Sequence, residues 1–506
     1  MDVLLAIGVL ILSIIIVIYY ISKQKNNFWK KMNVPYAKPL PIVGNYAEYL
    51  LMKKYPGEIL HRMCQQFPDE PYFGTYYGTD PALVVQDPEL LKLVFTKDFF
   101  YFSQRETSAY LHKEVFTRSL FFEGGDKWKV VRQNLTPLFS SAKMKNMFYL
   151  IQNCTKSLEN MLEYETKISE VIEAKILMGR YTMDTICSSA FGVEAKTMEN
   201  GNYNNQFRSI ATAIFIPSKW NGFKIAILFE ARGNKPSNRN DFVDAVLTFN
   251  KESHIIGDSL RDAKTGEQKT MILKVDNELL ESQCVLFFAA GFETSSSAMS
   301  FTLYELAKNQ YVQKKALEEV DKYLCEQNGK IEYNCVTELP YLDACVQETL
   351  RLYPSFGILT REVAEDYTFP TGLRVEKGLR IHIPMYHLNP KYFPEPEQYK
   401  PERFMPDAVD KIKPYTYMPF GEGPRTCIGM IFISLSIQSY GSCGGMMGTY
   451  VVRCITFGRL KYTFIRYLLC KNKNMTLTTK RKSVFCLTRR NCPCMVVFSG
   501  GILEGE

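Results

Sequence analysis

The sequence has little histidine, and it lacks internal repeats, low-complexity segments and interior linkers. Its five histidines are scattered along 506 residues and predict no histidine-based metal cluster. The absence of repeats argues against a solenoid or propeller. The absence of a linker favours one large body over the roughly three domains that length alone suggests. Hydrophobic residues make up 46% and charged residues 23%, which excludes a disordered or collagen-like chain.

The 14 cysteines do not have the density of a disulfide framework in a chain of this length. They are expected to be free thiols in a reducing compartment, unless one of them carries chemistry.

The net charge of +8 is confined to the end of the chain. Residues 431–506 hold 11 Lys+Arg and 2 Glu, or +9, whereas residues 1–430 hold 50 basic and 51 acidic residues, or −1. The charge of the main body therefore gives no reason to expect a nucleic-acid partner.

One run of 19 uncharged residues, Val3–Ile21, begins the chain, and no second such run follows. As a helix it would be about 28 Å long, close to the roughly 30 Å hydrocarbon core of a bilayer. Four lysines at positions 23–31 follow it, whereas only Asp2 precedes it, which predicts an anchor in residues 1–21 with the body on the cytosolic side. A cleaved signal peptide is the alternative, but the run has neither a basic leader nor a small-residue cleavage site.

Residues 22–45 are basic and rich in proline, and they are predicted to form a stiff hinge. Helical patterns dominate residues 46–430, for example in Thr155–Tyr164 and Ala316–Tyr323. Strand patterns are confined to residues 72–86 and 367–383. The predicted fold class is mostly α with minor β.

The most informative segment is Phe420–Gly429, in which two glycines and a proline force a tight turn that ends at Cys427. An apolar segment follows, so Cys427 is predicted at a helix N-terminus, where backbone N–H groups stabilise a thiolate. A single thiolate in such a loop suits an axial iron ligand. An inert buried cysteine and a zinc site are the alternatives, although no second Cys or His lies within residues 388–442.

The segment Phe420–Gly429 matches the haem-binding segment of the cytochrome P450 superfamily at each defining position. Four more segments resemble motifs of that family, and they occur in the family's order: Trp128 with Arg132, Ala290–Thr294, Glu348–Arg351 and Pro401–Phe404. The surrounding sequence is most similar to insect microsomal enzymes of family 6. The resemblance covers residues 1–430 and implies the triangular, mostly α haem-thiolate prism, with an N-terminal transmembrane helix and a catalytic domain in residues 46–430.

The resemblance also implies a role for each motif. Cys427 would be the protein ligand of the haem iron, and Glu293 with Thr294 would deliver protons to bound oxygen, which suits a carboxylate and a hydroxyl. Glu348, Arg351 and Arg403 would form a buried structural network beneath the haem loop. The residues expected to contact the haem, including its propionates, are Trp128, Arg132, Ala290, Arg361, Phe420, Arg425, Cys427 and Gly429.

Substrate contacts are expected from apolar and aromatic side chains, which imply a lipophilic small molecule. The candidates are Phe116, Phe121, Phe287, Phe288 and the segment Tyr353–Thr360, and the alternative for these aromatic side chains is a place in the hydrophobic core. By resemblance, electrons would come from NADPH through a membrane-bound flavoprotein reductase, with cytochrome b5 as a second candidate donor. The exposed lysines beside Trp128 could contact an acidic surface of the redox partner, or they could form a solvated face. The expected location is the endoplasmic reticulum membrane, and the family is associated with xenobiotic metabolism.

Residues 431–506 depart from the family pattern. Position 431 is Ile where the family has Arg, four glycines follow between positions 441 and 448, and six of the 14 cysteines lie in this segment. Two explanations are open: an altered reading frame or retained intron, and a genuinely divergent terminus. The expected consequence is that the haem loop has a weaker packing partner.

The expected function is monooxygenation of a lipophilic substrate. A haem-thiolate isomerase or dehydratase is the first alternative, although the Glu293–Thr294 pair argues against it, because such chemistry needs no proton delivery to dioxygen. An inactive haem-binding protein, damaged by its terminal segment, is the second.

Overall fold

The computed structural model of the protein describes residues 2–106, 115–168, 173–199, 205, 242–386 and 389–442. Helices dominate it, so the predicted mostly α class with minor β is confirmed. The helices are α1 (Asp2–Lys25), α2 (Phe28–Lys31), α3 (Ala47–Leu50), α4 (Pro56–Cys64), α5 (Pro88–Lys92), α6 (Gly125–Leu135), α7 (Ser141–Ile168), α8 (Ala174–Ile186), α9 (Phe242–Glu252), α10 (Asn277–Lys308), α11 (Gln310–Glu326), α12 (Cys335–Glu338), α13 (Pro340–Leu352) and α14 (Met430–Ser442).

The strands are short and form three small sheets. Their bounds are β1 (Tyr72–Tyr77), β2 (Asp80–Val85), β3 (His254–Asp258), β4 (Thr270–Lys274), β5 (Ile358–Glu362), β6 (Tyr367–Thr368), β7 (Arg374–Val375) and β8 (Arg380–Pro384). The largest sheet has the order β1-β2-β8-β5, in which β2 and β8 run parallel and the other neighbours antiparallel. The pairs β3–β4 and β6–β7 are separate antiparallel ribbons.

The long helix α10 crosses the core and organises the site. Asp276 caps its first turn, where the side chain accepts a hydrogen bond from the N–H of Leu279 at 2.8 Å. Phe287, Phe288 and Ala289 are all buried, which agrees with the sequence pattern of a helix that is apolar on every side. Helix α8 packs along α10, and the segment Val115–Arg118 lies against its first half.

The segment after α1 is bound to the main sheet. Trp29 is fully buried, and its indole N–H donates to the carbonyl of Thr75 at 3.0 Å. Its ring leaves no room beside Gly74, where a Cβ would lie 2.3 Å from the indole. The last turn of α1 is also attached, because the Oγ of Ser22 accepts from the N–H of Ile42 at 2.6 Å. Part of the segment predicted as a hinge is therefore packed against the main sheet.

Helix α1 contains the long uncharged run of the sequence. Among the described residues, no helix is both long and apolar enough to span a bilayer.

Helix α14, which follows the cysteine loop, is packed over its first ten residues. Phe432, Leu435 and Ile437 are buried. The carbonyl of Ser436 accepts from the hydroxyl of Tyr181 at 3.2 Å, and other side chains of this helix bond to α7 and α13. The expected weakening is thus absent from residues 430–439. Residues 443–506, which make up most of the atypical segment, lie outside the described residues.

Candidate functional site

The loop before Cys427 is shaped by its glycines. Gly421 and Gly423 have φ values of +71° and +69°, in the left-handed region. Gly423 also lies against the backbone of Phe95, and a Cβ there would be 2.0 Å from the carbonyl oxygen. The turn is closed by a bond from the Cys427 N–H to the carbonyl of Phe420 at 2.9 Å. This path of the backbone places the sulfur of Cys427 at the end of the loop.

Cys427 is half-buried and forms no disulfide. Burial raises the pKa of its thiol above the ordinary value, whereas a bond from the backbone N–H of Gly429 and the charge of Arg132 act in the opposite direction. The backbone N–H of Gly429 thus favours the thiolate as expected, but burial outweighs it. Cys427 is not itself at the helix N-terminus, because α14 begins three residues later, at Met430. Within the described segments, no group of three or more His, Cys, Asp or Glu could hold a metal ion.

A cavity of about 530 Å³ lies beside the cysteine loop, between α6 and the start of α14. Trp128, Arg132 and Cys427 line it, together with Phe139 and Ile428. Its volume lies within the range of small-molecule and cofactor sites, about 300–1,000 Å³. Three residues predicted to contact one cofactor are thus brought together, although they come from two distant parts of the sequence.

Three buried arginines form a second part of the site. Arg105, Arg361 and Arg425 are only 9%, 1% and 7% exposed. Each lies against an aromatic ring, at 4.3 Å from Phe121, 5.1 Å from Phe95 and 4.4 Å from Trp128 respectively. Arg425 also donates to the carbonyls of Ser103 and Glu123.

The arginine cluster lacks a counter-charge in direct contact. Among the described residues, no carboxylate lies within ion-pair distance of Arg105, Arg361 or Arg425, and the Nε atoms of Arg105 and Arg361 are buried without a hydrogen-bond acceptor. Burial lowers the pKa of Arg105 to about 10. Burial also holds the pKa of Arg361 and Arg425 well below the usual range, and repulsion from Arg105 adds to this. An anionic group bound here would offset the destabilisation that these buried cations cause.

Sequence reasoning found Arg361 and Arg425 but missed Arg105. Residues 104 and 362 form an isolated antiparallel bridge, which brings Arg105 beside the strand that carries Arg361. No local pattern marks Arg105, which follows the aromatic run at positions 99–102 by three residues, so the contact depends on the tertiary fold.

The middle of α10 carries the predicted carboxylate–hydroxyl pair. Ala290, Glu293 and Thr294 are half-buried. The hydroxyl of Thr294 donates to the carbonyl of Ala290 at 2.7 Å, which places both residues on one face of the helix. One oxygen of Glu293, Oε2, is buried and has no hydrogen-bond partner among the described residues.

The other oxygen of Glu293 has a partner that sequence reasoning missed. The Nζ of Lys175, in the first turn of α8, lies 2.7 Å from Glu293 Oε1. The same ammonium donates to the hydroxyls of Ser296 and Ser297, each at 2.8 Å. No sequence pattern links positions 175 and 293, because the pair exists only through the packing of α8 on α10.

The residues predicted to form a structural network join α13 to the segment of residues 394–403. Glu348 and Arg351 are fully buried and joined by two hydrogen bonds, from Nε at 2.6 Å and from Nη2 at 2.7 Å. The Nε of Arg403 lies 3.5 Å from Glu348 Oε1. Arg351 Nη1 and Arg403 Nη2 donate to backbone carbonyls of residues 394–396. This arrangement fixes the long loop that leads to the cysteine segment.

The aromatic residues predicted for the substrate pocket separate into two groups. Phe116 and Phe121 are partly buried, and Phe121 stacks on Phe356 with 5.8 Å between the ring centroids. Phe287 and Phe288 are buried in the core, where they pack against Phe139 and Phe191. Phe287 and Phe288 therefore have the packing of residues in the hydrophobic core, which is the alternative to a place in the substrate pocket. Phe420 packs apart from both groups, against the core beneath α14.

The family model of cytochrome P450 matches residues 34–438 of this chain. The chain belongs to the cytochrome P450 family. The match includes the cysteine loop, the α10 motif and the Glu348–Arg351 network, and it ends eight residues beyond the boundary at 430 that the sequence suggested.

Curated relatives are insect P450 enzymes, which confirms the predicted similarity to family 6. Cytochrome P450 6k1 of Blattella germanica is 33% identical over 474 residues, covering 85% of this chain and 88% of its own length. Cytochrome P450 6B7 of Helicoverpa armigera is 33% identical over 450 residues, covering 83% and 88%. Cytochrome P450 6B5 of Papilio glaucus is 32% identical over 460 residues, covering 86% and 95%.

As a P450, the chain is a haem-thiolate oxidoreductase of the monooxygenase class. The residues present fit haem, since the thiol of Cys427 is a suitable iron ligand and the buried Arg105 and Arg361 have unused donors for the two propionates. When bound, the haem activates dioxygen, and the thiolate ligand favours O–O cleavage. The chain itself would supply the sulfur of Cys427, the buried arginines and the Glu293–Thr294 pair.

Proposed function

We propose that this P450 inserts one atom of dioxygen into a lipophilic small molecule, with electrons supplied from NADPH by a flavoprotein reductase. The observation that carries the proposal is the pair Glu293 and Thr294 in the half-buried middle of α10, beside the small residues Ala290 and Gly291. A carboxylate and a hydroxyl at adjacent positions can pass protons inward from solvent. A haem-thiolate isomerase or dehydratase has no need of such a pair.

The roles of the chain's own groups follow from their placement. Cys427 would ligate the iron, and the haem would be held and oriented by Arg105, Arg361, Arg425, Arg132 and Trp128. Thr294 would hold a proton at its hydroxyl, and Glu293 would supply that proton. Phe116 and Phe121, which are partly buried beside α10, support an apolar substrate.

The proposed enzyme works at a membrane and receives its electrons on one face of α6. The run Val3–Ile21 and the lysines after it support an anchor in the endoplasmic reticulum membrane with a cytosolic catalytic domain. Lys127 is exposed on α6, which supports docking of an acidic reductase on this face. Deleting residues 2–21 should shift the protein from the membrane fraction to the soluble fraction, and an unchanged distribution would contradict the anchor.

The deciding experiment replaces Thr294 with alanine and measures product formed, NADPH consumed and hydrogen peroxide released. We expect product per NADPH to fall about tenfold while substrate affinity changes little, because the lost hydroxyl acts after binding. Thr302→Ala is a matched control, since Thr302 makes the same back-bond to the carbonyl of Ala298, at 2.9 Å, two turns further along α10. If Thr294→Ala and Thr302→Ala have equal product yields, the proton-delivery role is wrong.

The cofactor ligand is tested separately with Cys427→Ala. The reduced carbonyl complex of the wild-type protein should have the absorption of a thiolate-ligated haem, and the variant should lose it. The same absorption in Cys427→Ala would contradict the assignment of the ligand.

A further inference from the structure

The contact between α8 and α10 is unusually close around the carboxylate–hydroxyl pair. A Cβ at Gly291 would lie 2.7 Å from the Cδ1 of Ile186, so the two helices touch where α10 has no side chain. One turn earlier on α8, the hydroxyl of Thr182 donates to the carbonyl of Phe292 at 3.1 Å. These contacts hold the first turn of α8 at a fixed distance from Glu293.

Lys175 lies at the end of this contact and directs its ammonium group to α10. An ammonium has three N–H donors, and all three are used, on Glu293 Oε1, Ser296 Oγ and Ser297 Oγ. Ser297 adds a second hydrogen bond to the same Glu293 oxygen at 3.2 Å. The Lys175 and Glu293 side chains are 23% and 19% exposed, so water screens the pair only in part.

The two oxygens of Glu293 are therefore different. Oε1 is held by a cation and a hydroxyl, whereas Oε2 is buried and has no hydrogen-bond partner among the described residues. A proton in transit can be accepted at Oε2 without breaking the contacts of Oε1. When Oε2 gives up that proton, the carboxylate returns to its starting state, still in contact with the ammonium.

We propose that Lys175 is a positioning residue for Glu293, which fixes the orientation of this carboxylate so that only Oε2 carries protons. The inference rests on the proposed function, in which Glu293 supplies the proton held by Thr294. It adds a residue from a different helix to that relay, and it assigns different tasks to the two carboxylate oxygens.

The experiment compares three full-length variants reconstituted with a reductase: Lys175→Met, Lys175→Arg and Arg180→Met. Arg180 is the matched control, because it lies on the same helix and forms an ion pair of similar burial with Glu165 at 3.0 Å. The measurements are product per NADPH, the solvent deuterium isotope effect on product formation, and the thermal midpoint of unfolding.

We expect Lys175→Met to lower product per NADPH about tenfold, the loss typical of one hydrogen bond to a charged group, and to raise the solvent isotope effect. Lys175→Arg, which keeps the charge, should recover most of the yield, and Arg180→Met should remain at the wild-type value. A wild-type yield and isotope effect in Lys175→Met would overturn the proposal, as would an equal loss in Arg180→Met, which would indicate general loosening of α8.

A fourth variant, Glu293→Gln, separates this proposal from the proposed function. If Glu293→Gln lowers the yield and Lys175→Met does not, the relay stands and the role of Lys175 is wrong. If Glu293→Gln also has the wild-type yield, the proton relay itself is wrong. In the double variant, the Lys175→Met change should add little to the effect of Glu293→Gln, because both remove the same interaction.

Discussion

Individual buried charges determine how this P450 is prepared for its cofactor. Arg105 is the informative case, because its Nε is buried without an acceptor and its pKa is lowered to about 10 by burial. Such a group destabilises the protein until an anion binds beside it. A propionate bound beside Arg105 would therefore offset the destabilisation that this buried cation causes.

Arg105→Met should therefore have opposite effects on the two forms of the protein. We expect haem affinity to fall about tenfold, and the haem-free form to become more stable, because an unpaired buried cation is removed. Haem retention during gel filtration and urea unfolding of the haem-free protein measure the two effects. Arg118→Met, which removes surface ion pairs with Asp276 and Glu278, is the control and should change neither by much. Unchanged haem retention in Arg105→Met would contradict a propionate contact.

Glu106 is expected to account for part of the stability that the protein loses at acid pH. Burial alone would raise the pKa of its carboxyl, but the hydrogen bond from His382 at 3.1 Å and the charge of Arg380 at 3.2 Å outweigh it, and the pKa is lowered. A carboxyl whose pKa is lower in the folded than in the unfolded state adds stability above its unfolded value, about 4.3. That stability is lost as the pH falls through the folded value.

Glu106→Gln should accordingly lower the free energy of unfolding by about 2 kcal/mol at pH 7. The difference from wild type should shrink as the pH falls below the unfolded value of about 4.3 and vanish once the pH lies below the folded pKa, because the native carboxyl is then protonated as well. Urea unfolding across this pH range is the measurement. A difference that persists unchanged at acid pH would show that Glu106 acts through shape and not through charge.

Sequence reasoning reached the residues that lie inside motifs and missed those that act across elements. Cys427 follows from a local pattern with known chemistry, and Glu293 and Arg351 follow from motifs of the family. Arg105 and Lys175 lie in segments without a motif, and their partners come from distant strands and helices. Their roles depend on packing, which a single sequence does not specify.

At the scale of elements, the cysteine loop contains two glycines, Gly421 and Gly423, whose replacement should have different effects. Gly423→Ala would combine a left-handed φ of +69° with a Cβ 2.0 Å from the carbonyl oxygen of Phe95. Because that neighbour is backbone, the loop must move and carry Cys427 with it. We expect loss of most of the thiolate-ligated haem.

Gly421→Ala is the matched comparison for this loop. Its φ of +71° is equally left-handed, but its nearest neighbour would be the side chain of Leu359 at 3.7 Å. We expect a loss of about 1 kcal/mol in stability and near-normal haem content. Carbonyl difference spectra and thermal midpoints test both variants, and equal haem content in the two would contradict the close contact at Gly423.

Most helices and the strands near residues 72–86 and 367–383 could be predicted, since their periodic patterns are local. The ribbon β3–β4 and strand β5 could not. Strand β3 is tied to α6 through the side-chain amide of Gln133, which donates to the Asp258 carboxylate at 3.0 Å and accepts from the Asp258 N–H at 2.7 Å. Short strands of this kind form because a tertiary partner is available.

At the scale of the whole molecule, the segment after α14 differs from the rest of the chain. The family match ends at residue 438, and the charge and cysteine content change close to that point. Replacing residues 443–506 with the corresponding segment of a curated relative should raise the fraction of protein that holds haem, because the present segment lacks the family pattern. The measurement is haem per protein after purification. Equal haem content and turnover in the two proteins would refute a defect in this segment.

The burial of Trp29 has a mechanical consequence. This indole lies only four positions after Lys25, the last residue of α1, and is fixed to Thr75, while the last turn of α1 is fixed to Ile42. A torque on α1 about its long axis is therefore transmitted to the main sheet within one helical turn, with little slack to absorb it. Were α1 held by a surface, the orientation of that surface would therefore also set the direction in which the main sheet faces.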